Sequence, residues 1–390
     1  MENRSIWHVV ALVATLGLAA LVAVVAVTRS DKQEPSAEAS PSVTASASPS
    51  ASPGLSGDGP FVVYALGNEI LAFDVAGGKS VSLGKVEGFL AVSEGGRQPG
   101  SGRLVAFTTA EGNLWTVARR GLTHVLTIPT TAGSAFKGAL VSPDDRKVAV
   151  ATSGIAPTTV VVDLATKKPT NIKRTKRGQY PDEALVPVAW SLGGTLLYEI
   201  PYCECDAGTP GLFALDTTTA ASTRVPGTAT TNLFYLAAAP SGQALYYGTA
   251  SDAGCPSGPA RDSCEGPPFY LRRLAAGEAG SDIIRRARDY PFIADAISQG
   301  GDLVLVHRPI SESQGARLEL YSAEGERQPA PRGVPAGGGT GLAILPNDVF
   351  VIAATVENRP AFVLLKDGVA ITISREPETG ETLTYLGWLR

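Results

Sequence analysis

Residues 141–150 read VSPDDRKVAV and residues 189–198 read AWSLGGTLLY. Each is a short apolar run, a tight-turn signal and a second apolar run. Pro-Asp-Asp in the first and Leu-Gly-Gly in the second supply the fixed and positive φ angles that a turn between antiparallel strands needs. The same order returns at 236–247 (LAAAPSGQALYY) and at 294–305 (ADAISQGGDLVL). The turn landmarks Ser142, Ser191, Ser241 and Ser298 stand 49, 50 and 57 residues apart.

Each landmark is followed by a variable loop and two more strand-like runs, such as TVVVDLA at 159–165 and RLELYSA at 317–323. A repeat of about fifty residues built as strand, turn, strand, loop, strand, turn, strand is the signature of a four-stranded propeller blade. No stretch after residue 30 carries a capped helical period, so the class is all-β. Seven units fit between residues 60 and 390. Blade 1 begins at Phe61 with only three strands, and blades 2 to 7 start near Val86, Lys137, Val186, Leu233, Phe292 and Thr340. The run LTYLGWL at 383–389 has the texture of an innermost strand. It is expected to complete blade 1 and close the ring, which removes the exposed edges of an open sheet.

In these units the chain resembles the WD40-like repeats of the TolB and dipeptidyl-peptidase N-terminal propellers. The resemblance extends in pattern over residues 61–390, but in letters it is close only in blades 3 and 4. It implies a fold and brings no catalytic residue with it. No hydrolase segment follows the repeats, so a peptidase activity is not implied.

Ahead of the repeats lie two different segments. Residues 9–27 are nineteen uncharged, apolar positions. As a helix they would span about 28 Å, the thickness of a bilayer core. The run is too long for the apolar part of a cleaved signal, and the nearest Ala-x-Ala, at Ala37 to Ala39, comes too late for cleavage. The expectation is a single transmembrane helix over 7–28 with a cytoplasmic tail of residues 1–6. Residues 35–53 contain sixteen Ser, Ala or Pro out of nineteen, too few apolar groups to bury a core, so a disordered linker is expected over 29–59. The propeller then occupies 60–390, on the extracytoplasmic side of a cell membrane. The 23 Arg against 10 Lys fit a GC-rich bacterial genome.

The net charge of −4 opposes nucleic-acid binding, which needs a basic surface. Four cysteines occur as Cys203 with Cys205 and Cys255 with Cys264. In an oxidising compartment they are disulfide candidates, and Cys-x-Cys is not a usual zinc spacing. Both pairs fall in loops between the second and third strands of blades 4 and 5. Glu204, Asp206, Asp252, Arg261, Asp262 and Glu265 accompany them and form the expected binding face, open to a protein or cell-envelope partner. His8, His124 and His307 have no carboxylate or second histidine at ligand spacing. No Gly-x-Ser-x-Gly elbow or P-loop is present. No catalytic residue, cofactor or metal is therefore assigned. Two basic runs, Lys173 to Arg177 and Arg285 to Arg288, read as solvated links between blades, with contact to an anionic surface such as lipid headgroups or wall polymer as the alternative. The reading is a membrane-anchored binding scaffold. The alternative is a lactonase- or hydrolase-like propeller enzyme using channel-lining carboxylates.

Overall fold

The computed structural model describes residues 54–88, 90–91, 100–129, 135–153, 158–172, 185–201, 209–226, 228, 232–250, 268–278, 280–311, 315–335, 338–374, 377 and 381–390. The apolar run 9–27 and the linker up to residue 53 lie outside them.

Seven antiparallel sheets account for the described strands. Innermost strands of successive sheets touch one another or the neighbour's second strand all the way round, so the sheets close into a seven-bladed propeller. Blade 1 takes its inner strand, Leu383–Leu389, from the far end of the chain and its second strand from Phe61–Leu66. Phe61 faces Leu389 and Leu66 faces Leu383. The other inner strands are Leu90–Ala91, Ala135–Val141, Leu185–Trp190, Asn232–Ala238, Ile293–Ile297 and Thr340–Leu345.

The apolar runs are continuous because the blades bury both faces of their middle strands. In Phe61–Leu66 all six residues are buried. Phe61, Val63 and Ala65 pack toward blade 2, while Val62, Tyr64 and Leu66 pack toward blade 7. This is the two-residue period of a strand serving two interfaces at once. All seven hydrophobic clusters among the described residues lie between adjacent blades, none within one blade alone. The outer strand Val369–Thr372 is exposed throughout, whereas others, such as Gly121–Thr127, bury some residues.

The inner strands of six blades pair with their neighbours through a register shift in mid-strand. Such a bulge turns one residue out of the ladder. In blade 6 that residue is Asp295, where the other blades carry residues such as Val188 and Leu386.

The repeated turns join inner to second strands on one face of the ring, here the short-turn face. Ser142 Oγ accepts from Lys147 N at 2.9 Å, Ser191 Oγ from Leu196 N at 3.1 Å and Ser298 Oγ from Leu303 N at 3.0 Å. The fourth residue of each turn has positive φ: Asp145 at 60°, Gly194 at 65°, Gly242 at 73° and Gly301 at 82°. The blade 5 landmark needs correcting. Ala239, not Ser241, occupies the position of Ser142, since Ala239 N bonds to Ala244 O at 2.8 Å as Ser142 N bonds to Lys147 O at 2.9 Å. Backbone geometry conserves the turn there without a hydroxyl.

The chain enters the propeller on that same face. Leu55 is 8% exposed and packs with blades 1 and 2. Its N–H bonds to Arg119 O at 2.6 Å. The Arg119 side chain, in the turn before the outer strand Gly121–Thr127, donates to Gly57 O, to Gly59 O at 2.9 Å and to Arg390 O at 2.5 Å. It also lies over the Phe61 ring, 5.1 Å from the centroid. Composition assigns residues 54–59 to the linker, but from Leu55 onward the chain packs on blades 1 and 2.

Candidate functional site

The short-turn face carries a depression of about 350 Å³ centred on the propeller axis. Turns from six blades line it: Ser101 and Arg103 of blade 2, Pro143 and Asp144 of blade 3, Leu192 and Gly193 of blade 4, Ser241, Gln299, and Arg390 at the end of blade 1's inner strand. Below it the axis narrows to a void of about 20 Å³ between inner-strand residues including Ala238, Leu342, Tyr385 and Trp388. The depression thus narrows to a largely apolar waist, giving a cup on the short-turn face.

Hydrogen bonds between neighbouring turns stiffen its rim. Arg390 N bonds to Gly102 O at 2.7 Å, joining blades 1 and 2. Arg103 pairs with Asp145 at 2.7 Å and donates to Pro143 O at 3.1 Å, joining blades 2 and 3; Ser101 Oγ also donates to Asp145. Lys147 Nζ reaches Gly194 O at 3.5 Å and Leu192 N reaches Gly242 O at 2.9 Å. Tyr246 donates to Gly301 O at 2.7 Å. Gln299 Nε2 then reaches Ser101 O at 3.1 Å, from blade 6 back to blade 2. The lining mixes hydroxyls, an amide, a carboxylate, two guanidinium groups and the half-exposed Leu192 (53%). Such a cup suits a small polar ligand with an apolar edge.

A buried acid–base pair lies between blades 6 and 7. Asp295, 1% exposed, places both carboxylate oxygens 2.9 Å from His307 Nδ1 and accepts from Gly341 N at 2.8 Å. His307 sits across the ladder on the second strand, opposite Ile293. Gly341 is required there, because a Cβ would come within 2.7 Å of Leu305 Cδ2 and 3.0 Å of Asp295 Cβ. The sequence leaves His307 without a carboxylate; strand pairing across twelve residues provides one. Glu199, 0% exposed, similarly accepts from Thr159 Oγ1 of blade 3 at 3.1 Å. Both carboxylates bind blades together and are shielded from solvent.

Cys203, Cys205, Cys255 and Cys264 lie outside the described residues, as do Glu204, Asp206, Asp252, Arg261, Asp262, Glu265 and the basic run 173–177. The ends of their loops are visible. Residues 202–208 run from Pro201 to a two-residue strand, Thr209–Pro210. That strand pairs with the inner strand of blade 5, Thr209 opposite Leu233 and Pro210 opposite Asn232. A loop of blade 4 thereby adds to the axial edge of blade 5, near the long-loop end. Residues 251–268 connect Ala250 to Phe269 at the same end of blade 5.

No protein-family model and no curated protein sequence matches this chain. Solved structures do. Oligogalacturonate lyase from Vibrio parahaemolyticus aligns over 80% of this chain and 88% of its own, with TM-score 0.56 and 12% identity. Puromycin hydrolase aligns over 83% of this chain and 54% of its own, with TM-score 0.50 and 16% identity. TolB from Acinetobacter baumannii aligns over 70% of this chain, with TM-score 0.40 and 11% identity; the match spans 64% of its length. At such identities the likeness is one of fold. The seven-bladed propeller expected from the repeats is the fold found.

Proposed function

We propose that the chain is a tethered propeller that binds its ligand without transforming it. The apolar run 9–27 holds it in a membrane, and the Ser/Ala/Pro-rich linker carries the propeller on the extracytoplasmic side as a scaffold for a protein or envelope partner. The observation behind this reading is the point of entry. Residues 55–59 are fastened to the short-turn face by Arg119. A tether joining at that face leaves the long-loop face clear of the attachment point, free to meet a large partner. On this reading Glu204, Asp206, Asp252, Arg261, Asp262 and Glu265 make that contact, and disulfides among the four cysteines lower the ordering cost of binding. The axial cup, on the tethered side, serves a small polar ligand. The enzyme alternative draws less support, since Asp295 and Glu199 are buried and already bonded.

Protease added to intact spheroplasts tests the topology. Cleavage within residues 35–53 with release of a compact core is expected; a core protected until the membrane is broken would overturn it. Replacing residues 256–263 by glycine and serine in the full chain tests the face. Crosslinked partner should fall while Tm holds. Undiminished crosslinking, with loss instead on Arg103→Ala at the axial cup, would move the contact to the other face.

A further inference from the structure

On the flank between blades 5 and 6, away from the axial cup, three guanidinium groups gather around one buried carboxylate and a fourth lies beside them. Glu319, on the strand Gly315–Ser322, is 1% exposed. Arg317 Nε lies 2.7 Å and Arg327 Nη2 3.4 Å from its Oε1. Arg308 Nη1 lies 3.7 Å from Oε2, and the Tyr321 hydroxyl donates to the same oxygen at 2.5 Å. The ladder explains the convergence. Arg317, Glu319 and Tyr321 alternate onto one face of their strand, Arg308 stands opposite Arg317, and Arg327 stands opposite Tyr321. That face looks toward blade 5; the basic run from Arg285, expected in a link between blades, lies mostly in blade 5's outer strand Asp282–Ala287, which lays Arg285 over the Tyr321 ring, 5.7 Å from the centroid.

The charges do not balance. Among the described residues, the carboxylates paired with Arg308, Arg317 and Arg327 are Glu319 and Asp289, the latter held by Arg308, and Arg285 lies beside them over Tyr321, so four positive charges against two negative leave an excess of two there. Arg308 is enclosed, bonded also to Tyr290 O at 3.1 Å. Arg317 and Arg327 instead keep 47% and 52% of their side-chain surface exposed. Glu319 pairs with one nitrogen of each and draws their heads together at the surface. Burial and the bond to Glu319 push the Tyr321 hydroxyl up to about 12, so it stays a neutral donor and adds no negative charge. Guanidinium forks bind phosphate oxygens through paired, charge-assisted hydrogen bonds, and a surplus of two charges fits a dianion.

We propose that Arg317, Arg327 and Arg285 form a phosphate-binding site on the blade 5–6 flank, with Glu319 as the positioning residue. The phosphate is either the free ion or a monoester borne by a larger molecule.

Thermal shift and calorimetry on the detergent-solubilised full chain test this with two probes, inorganic phosphate and glycerol 3-phosphate, against chloride at matched ionic strength. Saturable stabilisation by phosphate is expected, since a ligand that binds only the native state raises Tm. Arg317→Gln with Arg327→Gln should weaken it about tenfold or more, while Arg103→Gln at the axial cup leaves it unchanged. Arg285→Gln, which leaves every contact to Glu319 intact, provides a second reading should the double variant fail to fold, and should weaken binding about threefold. Binding of inorganic phosphate alone assigns the free ion; preference for glycerol 3-phosphate assigns a monoester. A response no greater than that to chloride, or affinity unchanged in the folded variants, overturns the site.

Discussion

The guanidinium of Arg119 donates to the carbonyl oxygen of Arg390 across 271 residues of sequence. The same side chain donates to Gly57 and Gly59, so one residue of blade 2 grips the incoming and outgoing strands of blade 1. Between the inner and second strands of other blades the chain is continuous; in blade 1 this clamp stands in that place.

Arg119→Ala is therefore expected to destabilise the propeller by about 2 kcal/mol, less than three charged hydrogen bonds would suggest because the site is half open to water. Tm should fall by several degrees and protease should reach residues 54–60 sooner. Arg119→Lys should recover only part of the loss, since one ammonium cannot serve three carbonyls in a fixed fork. An unchanged melting curve in the alanine variant would show that the contacts contribute nothing.

Deleting Leu383 to Arg390 removes the inner strand of blade 1 and uncovers the edge of Phe61–Leu66. Trp388 and Leu389, now buried, go with it. Aggregation or loss of a cooperative transition is expected. A truncated chain that melts like the intact one would mean the ring does not depend on this strand.

Asp295→Ala should cost about 3 kcal/mol or more, because it leaves Gly341 N–H buried without its acceptor and opens a gap beside it. Asp295→Asn, which keeps an acceptor, should cost less. The comparison is made by denaturant titration, and equal losses would mean that packing rather than the hydrogen bond matters.

Two tyrosines should control stability in alkali. Burial pushes the Tyr246 hydroxyl up to about 12, and burial with the Glu319 contact does the same for Tyr321. In the unfolded chain both titrate near 10. The folded state thus holds these protons more tightly, so their stabilisation is complete below about pH 10 and is lost as pH rises from there toward 12. Phenolate absorbance should lag for these two until ellipticity falls. Tyr246→Phe should flatten the pH dependence above 10; an unaltered slope would count against the assignment.

The fold was largely legible because its turns are local. Pro143-Asp144-Asp145 and Leu192-Gly193-Gly194 announce themselves within a few residues, and LTYLGWL reads as an inner strand by itself. The blade 5 landmark slipped by two residues because Ser241 is a serine in the turn but not the one in register. The site was far less legible. Gln299 meets Ser101 across 198 residues, and nothing in either neighbourhood signals the other. His307 lacked a visible partner because Asp295 is displaced by a bulge, which spacing alone does not reveal. The arginines of the blade 6 flank could have been suspected from Arg317, Glu319 and Tyr321 alternating on one strand, but Arg285 reaches them from another blade.

The mode of entry also fixes how the domain would bear a mechanical load. A pull on the chain ahead of Leu55 meets the Arg119 clamp first and then runs along Phe61–Leu66. That strand lies between Leu383–Leu389 and Glu69–Asp74, hydrogen-bonded to both. Tension along its axis loads both ladders in shear, so their bonds must fail together. A strand pulled sideways from an edge would unzip one bond at a time. The tether would thus act on a force-resistant element, and the outer strands would remain unloaded until it gave way.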